Sequence, residues 1–379
     1  MKNIPIIKPY FGKEEEDAAI RVIRSGWITQ GPIVAEFEKN FAEYVGTKYA
    51  IAVSSCTTAL HLALIVAGIK NGDEVILPSH TFIATANVVV CCGGVPVFVD
   101  IDLRTFNMDT DKIEKAITNR TKAIMIVHQM GLPADNDKIY EIARKNNLKV
   151  IEDTACAIGS KYKGKYIGTD AALACFSFHP RKVLTTGEGG MITTNNEEYE
   201  KTLRFLRHHG MSVSDLARHG SKELVFEEYN IIGYNYRLTD LQAAIGIEQL
   251  KKLNWILERR RKLAKNYNKY FQESGYLVPP FIPDYAETNY QSYCAYINPE
   301  SKKTRNGLMK YLLGKGITTR RGIMSVHREK PYIEIGEKYD LVNSEKASDN
   351  AIILPLYSQM TEDEQLFVVN SIKEYFKCF

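Results

Sequence analysis

Residues 48–68 read KYAIAVSSCTTALHLALIVAG, and this segment sets the class of fold. Residues 49–54 form an apolar run that predicts a buried strand, and residues 57–67 carry the apolar spacing of a helix. A turn of serine, cysteine and threonine joins the two. A strand that passes through a short turn into a helix is the building unit of α/β proteins, in which helices cover a largely parallel sheet.

The same alternation continues to about residue 195. Further buried strands are predicted at residues 74–77, 95–99, 123–127, 149–152, 174–178 and 190–194. Helices are predicted at residues 84–92, 109–117 and 135–146. The pattern predicts a mainly parallel sheet of seven strands. Ligands of such sheets bind where strands end and helices begin.

A long helix is predicted from about residue 239 to residue 274, with apolar residues on one face and charges on the other. It is interpreted as the connector to a second, smaller α+β domain. The predicted division is a large domain of residues 1–248 and a small carboxyl-terminal domain of residues 249–379.

Composition narrows the class of protein. The 379 residues carry a net charge of +4, with both signs interspersed, which does not indicate a nucleic-acid partner. The sequence shows no signal-peptide pattern and no uncharged apolar run of about 18 residues, so no membrane span is expected. The seven cysteines include no CxxC pair, which indicates reduced thiols, a cytoplasmic location and no metal site.

The first candidate site is the turn at residues 54–58, at the start of a helix. Main-chain N–H groups and the helix dipole favour an anion such as a phosphate there. An ordinary Ser/Thr helix cap is the commoner explanation for such a turn taken alone. A later segment, GYNYRLTD at residues 233–240, offers Asn235 and Arg237 as anion contacts, although it is equally typical of a loop that starts a helix.

Asp153 and Lys182 are two further, separate candidates. Asp153 ends an apolar strand, where its carboxylate could pair with a cationic ring nitrogen that lowers its pKa; a solvated strand end is the alternative. Lys182 closes SFHPRK, residues 177–182, and is followed by the glycine-rich residues 185–190. A partly desolvated lysine beside a carbonyl cofactor can form a Schiff base and move a proton. The glycines alone would indicate only a tight turn.

Together these motifs resemble the DegT/DnrJ/EryC1/StrS family of sugar aminotransferases. The resemblance extends from GWITQGP, residues 26–32, to LPL, residues 354–356, and rests on the order and spacing of the motifs. It implies a fold-type-I, aspartate-aminotransferase-like α/β fold, pyridoxal 5'-phosphate as the cofactor, and a homodimer with shared active sites.

The resemblance also implies roles for individual residues. Lys182 would hold the cofactor as a Schiff base (the internal aldimine) and move the proton, and Asp153 would keep the ring nitrogen protonated. Phe82 would stack on the ring. The cofactor phosphate would be bound by Cys56, Thr57, Ser177 and, from the other subunit, Asn235. Cys56 replaces a common glycine, and Cys156 replaces a common Gln or His with a weaker hydrogen-bond partner.

The implied reaction moves an amino group from an amino acid, by family likeness glutamate, to a nucleotide-linked 4-keto- or 3-keto-6-deoxyhexose. Arg320, Arg321 and His327 are predicted to hold the anionic part of that substrate, because they cluster in the sequence. A solvated basic loop is the alternative.

Three other functions remain open on the same fold. A sugar dehydratase would use pyridoxamine phosphate and carry histidine in place of Lys182. A non-catalytic regulator would need neither Lys182 nor Asp153. An aldolase or eliminating enzyme with the same cofactor is the third alternative.

Overall fold

Strands and helices alternate along the residues that the computed structural model describes, which are 3–213 and 226–377. The strands are β1 (Tyr49–Val53), β2 (Glu74–Pro78), β3 (Val95–Val99), β4 (Thr121–Val127), β5 (Lys149–Asp153), β6 (Lys161–Tyr162), β7 (Lys165–Tyr166), β8 (Ala174–Ser177), β9 (Gly190–Thr194), β10 (Leu277–Val278), β11 (Ala286–Glu287), β12 (Tyr293–Ile297), β13 (Arg320–Arg321) and β14 (Ala351–Leu354). The helices are α1 (Lys13–Ser25), α2 (Pro32–Val45), α3 (Cys56–Val66), α4 (Ala84–Cys91), α5 (Thr110–Ala116), α6 (Asn136–Lys145), α7 (Glu197–Arg207), α8 (Asp240–Ser274), α9 (Arg305–Gly314), α10 (Ile333–Gly336), α11 (Val342–Asn350) and α12 (Glu362–Lys377).

The largest sheet has seven strands in the order β1-β9-β8-β5-β4-β2-β3. Strands β3, β2, β4, β5 and β8 are parallel to their neighbours in that order, whereas β9 is antiparallel to both β1 and β8. The predicted α/β fold with a mainly parallel sheet of seven strands is therefore confirmed. The carboxyl ends of the parallel strands lie at one edge of the sheet.

Both faces of this sheet are covered by helices. In β1, Ile51 and Val53 pack in a cluster with α3, α4 and α7, while Ala50 and Ala52 pack in a second cluster with α2 and α8. Successive residues of a strand point to opposite faces, so a strand buried on both faces is apolar throughout. This burial explains the uninterrupted apolar runs in the sequence.

Helix α8 connects the two parts of the molecule. Its early residues, such as Leu253 and Leu257, pack in the cluster of the large sheet. Its later residues, such as Leu263 and Phe271, pack on the antiparallel sheet β10-β12-β14-β13. The packing changes sheets between Leu257 and Leu263, and the boundary at residue 248 stays a prediction.

Within the described residues, no helix is long and apolar enough to cross a lipid bilayer. The same residues contain no group of three or more His, Cys, Asp or Glu side chains that could hold a metal ion. The cysteines of this part of the chain are free thiols.

Candidate active site

The carboxyl ends of β1 and β8 meet across the first residue of β9. Gly190 pairs with Val53 on one side and with Ser177 on the other. Helix α3 follows β1, and its N-cap Ser55 accepts a hydrogen bond from the Thr58 N–H at 3.2 Å. The sheet register therefore brings Ser177 to the helix N-terminus, where main-chain N–H groups favour a phosphate.

Cys56 and Thr57, the other predicted phosphate contacts, are the first two residues of α3. Thr57 is exposed, whereas the buried Cys56 directs its thiol at the Cys175 carbonyl, 3.4 Å away. Cys56 thus offers its main-chain N–H to a phosphate. A Cβ on Gly190 would lie 2.7 Å from the Cys56 nitrogen, so the glycine permits the close approach of this turn.

Asp153 is the last residue of β5 and is only 6% exposed. Its carboxylate accepts hydrogen bonds from the Thr85 hydroxyl at 2.9 Å and from the Ala155 N–H at 3.1 Å. Burial raises the pKa of Asp153, and these hydrogen bonds lower it only in part. The sequence predicted the opposite, a pKa lowered by a cationic ring nitrogen. In the protein alone, burial has the largest effect on the pKa of Asp153 and raises it.

Lys182 lies in the turn after β8, where its N–H donates to the His179 carbonyl at 2.8 Å. Its side-chain amine donates to the Cys156 thiol at 3.2 Å. Burial lowers the pKa of Lys182, but the contact with Cys156, reinforced by Cys56 and Asp153, raises it above its usual value. The turn places the lysine beside the loop that follows Asp153, since β8 and β5 are neighbouring parallel strands.

Phe82 follows β2 at the same edge of the sheet and is 53% exposed. Its segment is tied to the site by two hydroxyls: Thr81 contacts Thr85 at 2.9 Å, and Thr85 donates to Asp153. A half-exposed phenyl ring at this position presents a flat apolar face next to the buried carboxylate.

The floor beneath Asp153 is a buried polar cluster around Glu152. The Glu152 carboxylate accepts hydrogen bonds from Tyr140 at 2.7 Å, from Asn136 at 3.0 Å and from His128 at 3.3 Å. The Ala134 N–H donates to Nδ1 of His128, so the proton of the neutral imidazole lies on Nε2, toward Glu152. These hydrogen bonds hold the end of β5 in place from the face of the sheet opposite to the Asp153 side chain.

The remaining predicted site residues lie in two other segments, of which 235–237 borders the phosphate turn of the same chain, since the Ser54 N–H donates to the Tyr236 carbonyl at 2.8 Å. Asn235 forms a β-bridge with His208, and Arg237 contacts the same histidine ring at 2.5 Å. Arg320 and Arg321 form the exposed strand β13 of the sheet β10-β12-β14-β13. Among the described residues, these arginines have no polar contact with Lys182 or Asp153.

The predicted substrate contact His327 is 7% exposed, and both of its ring nitrogens have partners. Nδ1 lies 2.6 Å from the Ser79 hydroxyl, and Nε2 lies 3.1 Å from the Glu345 carboxylate. Ser79 follows β2, so the imidazole joins the large sheet to the 326–345 region. A role for His327 in holding a substrate would require one of these contacts to open.

Two residues near the site were not anticipated from the sequence. The Gln291 side chain contacts the main chain on both sides of Lys182, and the Asn289 side chain contacts the Cys156 carbonyl. The pattern that could have indicated them is the run TNYQS, residues 288–292, immediately before the apolar strand β12. Such a run is also typical of an ordinary loop.

These residues fit pyridoxal phosphate. A cationic N–H partner stabilises the charged form of a carboxylate whose pKa is raised by burial. An exposed phenyl face can stack on a planar ring. The N-terminus of α3 with Ser177 suits a phosphate, and Lys182 supplies an amine for a carbonyl carbon.

Comparison with known proteins agrees with this geometry. The family model described as the DegT/DnrJ/EryC1/StrS aminotransferase family matches residues 9–373. The GDP-perosamine synthase of Caulobacter vibrioides is 40% identical over 364 residues, which cover 96% of this chain and 95% of that protein. Among solved structures, Streptococcus pneumoniae Spr1654 in its PLP form superposes with a TM-score of 0.92 at 29% identity, covering 99% of each chain. Helicobacter pylori PseC, an aminotransferase involved in the biosynthesis of pseudoaminic acid, has a TM-score of 0.92 at 27% identity and covers all of both chains.

Proposed function

Because the chain belongs to the DegT/DnrJ/EryC1/StrS aminotransferase family, we propose that it moves the amino group of L-glutamate to C4 or C3 of a nucleotide-linked keto-6-deoxyhexose. Membership confirms the fold-type-I assignment and makes the chain a pyridoxal-phosphate-dependent sugar aminotransferase. The donor, the acceptor and the individual residue roles are the proposal. A nucleotide-linked acceptor is supported by the relative named GDP-perosamine synthase.

The observation that carries the proposal is the placement of Lys182 and Asp153. Lys182 follows β8, and Asp153 is the last residue of β5. These two strands are parallel neighbours, so a lysine amine and a buried carboxylate lie at one edge of the sheet. A regulator that merely kept the fold would need neither group.

Pyridoxal phosphate, when bound, supplies a carbonyl carbon for covalent attachment and a cationic ring that draws electrons from the reacting carbon. Lys182 provides the attaching amine. Once the amino donor has displaced it, Nζ takes the proton from Cα of the donor, acting as a general base. Cys156 can receive a hydrogen bond from the released amine, as it does in the structure.

The other residues bind and orient. Asp153 holds the proton on the ring nitrogen, and its burial keeps water from competing for that contact. Phe82 covers one face of the ring. The cofactor phosphate would be held by Ser177, the Thr57 hydroxyl and the first N–H groups of α3.

We also propose that the active unit is a homodimer in which Asn235 reaches the phosphate of the partner's site. In support, the segment before Asn235 exposes large apolar side chains, among them Phe226, Tyr229 and Ile232. An exposed apolar segment of this kind is typical of an interface.

The test is the visible absorbance of the purified protein before and after addition of L-glutamate. We expect a yellow band that bleaches with glutamate, is missing from Lys182→Ala, and returns when the correct nucleotide keto-sugar is added. GDP-linked keto-sugars are the first acceptors to screen. If the wild-type protein shows no band after pyridoxal phosphate is supplied, the transaminase proposal fails and the dehydratase and regulator alternatives are favoured.

A further inference from the structure

A short segment that precedes β12 touches both loops of the site. This strap, residues 288–291, lies between β11 and β12. Its Thr288, Asn289 and Gln291 side chains are buried, although all three are polar. Buried polar groups require hydrogen-bond partners. Asn289 and Gln291 find theirs on main-chain atoms at Cys156 and on either side of Lys182, and the Thr288 hydroxyl donates to the Gly131 carbonyl at 3.0 Å.

The Gln291 amide brackets Lys182. Its Nε2 donates to the Arg181 carbonyl at 2.5 Å, and its Oε1 accepts from the Val183 N–H at 3.0 Å. An amide side chain offers one donor group and one acceptor, so a single residue can satisfy both main-chain groups that flank the lysine. The backbone of Lys182 is thereby fixed on its two sides from outside its own turn.

Asn289 holds the other partner of the lysine. Its Nδ2 donates to the carbonyls of Cys156 and Ile158, each at 2.8 Å, and its Oδ1 accepts from the Gln291 N–H at 2.7 Å. Both ends of the Lys182–Cys156 hydrogen bond are therefore tied to one strap.

The strap is itself anchored on α8 by Arg260. The guanidinium donates to the carbonyl of Tyr290 at 2.8 and 3.0 Å, to that of Gln291 at 2.7 Å and to that of Leu356 at 2.9 Å. Arg260 is almost completely buried, and burial lowers its pKa to about 10. Three bonds from one rigid guanidinium to the strap, and a fourth to Leu356, make the strap a fixed reference for the site.

We infer that Gln291 is a positioning residue for Lys182, which sets where the amine can reach the cofactor carbonyl and the donor Cα. The inference rests on the proposed function of Lys182. Gln291 does not touch the reacting atoms; it acts through the main chain of residues 181–183. Small displacements of a reacting group carry large rate costs, so losing the bracket changes the chemistry more than it changes the fold.

The experiment compares Gln291→Met with Gln365→Met as a matched control. Gln365 is also a buried glutamine with one donated and one accepted hydrogen bond, to the Leu263 carbonyl at 2.7 Å and from Asn266 at 3.2 Å, but it lies in the small domain. The measurements on cofactor-loaded protein are the pH midpoint of the visible band, the cofactor dissociation constant, kcat and KM, and the unfolding temperature.

We expect both variants to lose similar thermal stability. Gln291→Met alone should shift the pH midpoint of the band, weaken cofactor binding and lower kcat, the last by about 10- to 100-fold, with little change in the KM for the donor. Gln291→Glu is a second variant, because its carboxylate still accepts from Val183 but repels the Arg181 carbonyl. It should show the same pattern, even if Gln291→Met does not fold.

Two negative results have different meanings. If the wild-type band is normal and the Gln291 variants match Gln365→Met in band midpoint and cofactor affinity, Gln291 is structural only and the inference is wrong. If the wild-type protein itself has no band, the proposed function fails, and the positioning role fails with it.

Discussion

The side-chain amine of Lys182 donates a hydrogen bond to the thiol of Cys156 over 3.2 Å. A sulfur atom thus faces the amine that we assign to cofactor attachment. The contact reverses the ordinary effect of burial, since the net pKa of Lys182 is raised although burial alone would lower it. We therefore expect Cys156 to influence how readily the lysine becomes a neutral nucleophile.

The first prediction concerns the pH dependence of cofactor attachment. Only the neutral amine attacks a carbonyl, so the rate at which stripped protein takes up pyridoxal phosphate should rise with pH toward the pKa of Lys182. Cys156→Ala removes the largest influence that raises this pKa and leaves burial, which lowers it. The rate profile of Cys156→Ala should therefore move to lower pH, measured by stopped-flow absorbance.

Cys91→Ala is the control, because Cys91 is an exposed cysteine on helix α4, outside the loop that carries Cys156. Its rate profile should superpose on that of the wild-type protein. An unchanged profile in Cys156→Ala would show that the sulfur does not govern the lysine.

The second prediction separates activity from stability at Asp153. Asp153→Asn should lower transaminase activity by about 100-fold or more, because an amide cannot hold the ring proton as a carboxylate does. The same change should raise the unfolding temperature of the cofactor-free protein near neutral pH. In the folded protein the pKa of Asp153 is raised, so a charged carboxylate at this buried position lowers the stability of the fold at high pH. Below about 4, the pKa of Asp in an unfolded chain, the carboxyl is protonated in both states and this destabilisation disappears.

The check is differential scanning fluorimetry of both cofactor-free proteins across this pH range. The advantage of Asp153→Asn should shrink as the pH falls toward about 4, where the wild-type carboxyl is protonated in both states. A variant that is less stable than the wild-type protein at every pH would contradict the prediction.

Much of the large sheet could be predicted because its strands are buried on both faces, so burial alone dictates their composition. The predicted strand at residues 49–54 and helix at 57–67 correspond to Tyr49–Val53 and Cys56–Val66, within one residue at each end. The helices α1, α2 and α7 were not anticipated, since none lies between two of the predicted strands.

The site was only partly predictable. Asp153 could be singled out because it ends an apolar strand, and Lys182 because it lies on a turn between two predicted strands. Their roles followed from the resemblance to the family. The contacts of Gln291 with the main chain around Lys182 could not be predicted. Val183 and Gln291 are 108 residues apart, and a hydrogen bond to a main-chain atom requires no particular residue type at the other position. The burial of His327 was likewise hidden, since its partner Ser79 lies 248 residues away.

The third prediction concerns Phe82, which is half exposed. Phe82→Ala should barely change the unfolding temperature of the cofactor-free protein, because little buried surface is lost. It should weaken binding of pyridoxal phosphate by about 0.5–1.5 kcal/mol if the phenyl ring stacks on the cofactor. Equilibrium dialysis measures the affinity, and Phe82→Tyr, which keeps the ring, is the control that should bind normally.

The fourth prediction tests whether active sites are shared. Assayed alone, Lys182→Ala should be inactive and Asn235→Ala should be weakly active. In a mixed dimer, one site combines both defects and the other has neither, so mixing equal amounts and allowing subunits to exchange should restore about a quarter of the wild-type sites. Recovery of activity on mixing is the measurement. No recovery, with exchange verified by mass spectrometry of tagged subunits, would place Asn235 in its own subunit's site.

The last prediction contrasts two residues that the sequence grouped as substrate contacts. Arg321 is exposed on β13 and pairs with Glu329 at 3.4 Å, an ion pair that contributes little stability at a surface. His327 is buried between Ser79 and Glu345. Arg321→Ala should raise the KM for the nucleotide sugar several-fold at an unchanged unfolding temperature, since it removes a cation from the surface that we propose for the anionic substrate.

His327→Ala should behave in the opposite way. It removes two hydrogen bonds and leaves the Ser79 hydroxyl buried without this partner, so it should lower stability by about 1–3 kcal/mol. Chemical denaturation measures this loss, and steady-state kinetics of the remaining folded protein measures KM. If His327→Ala changes KM while Arg321→Ala does not, the anionic substrate binds on the Ser79 side of the histidine, and the exposed arginines are a solvated surface.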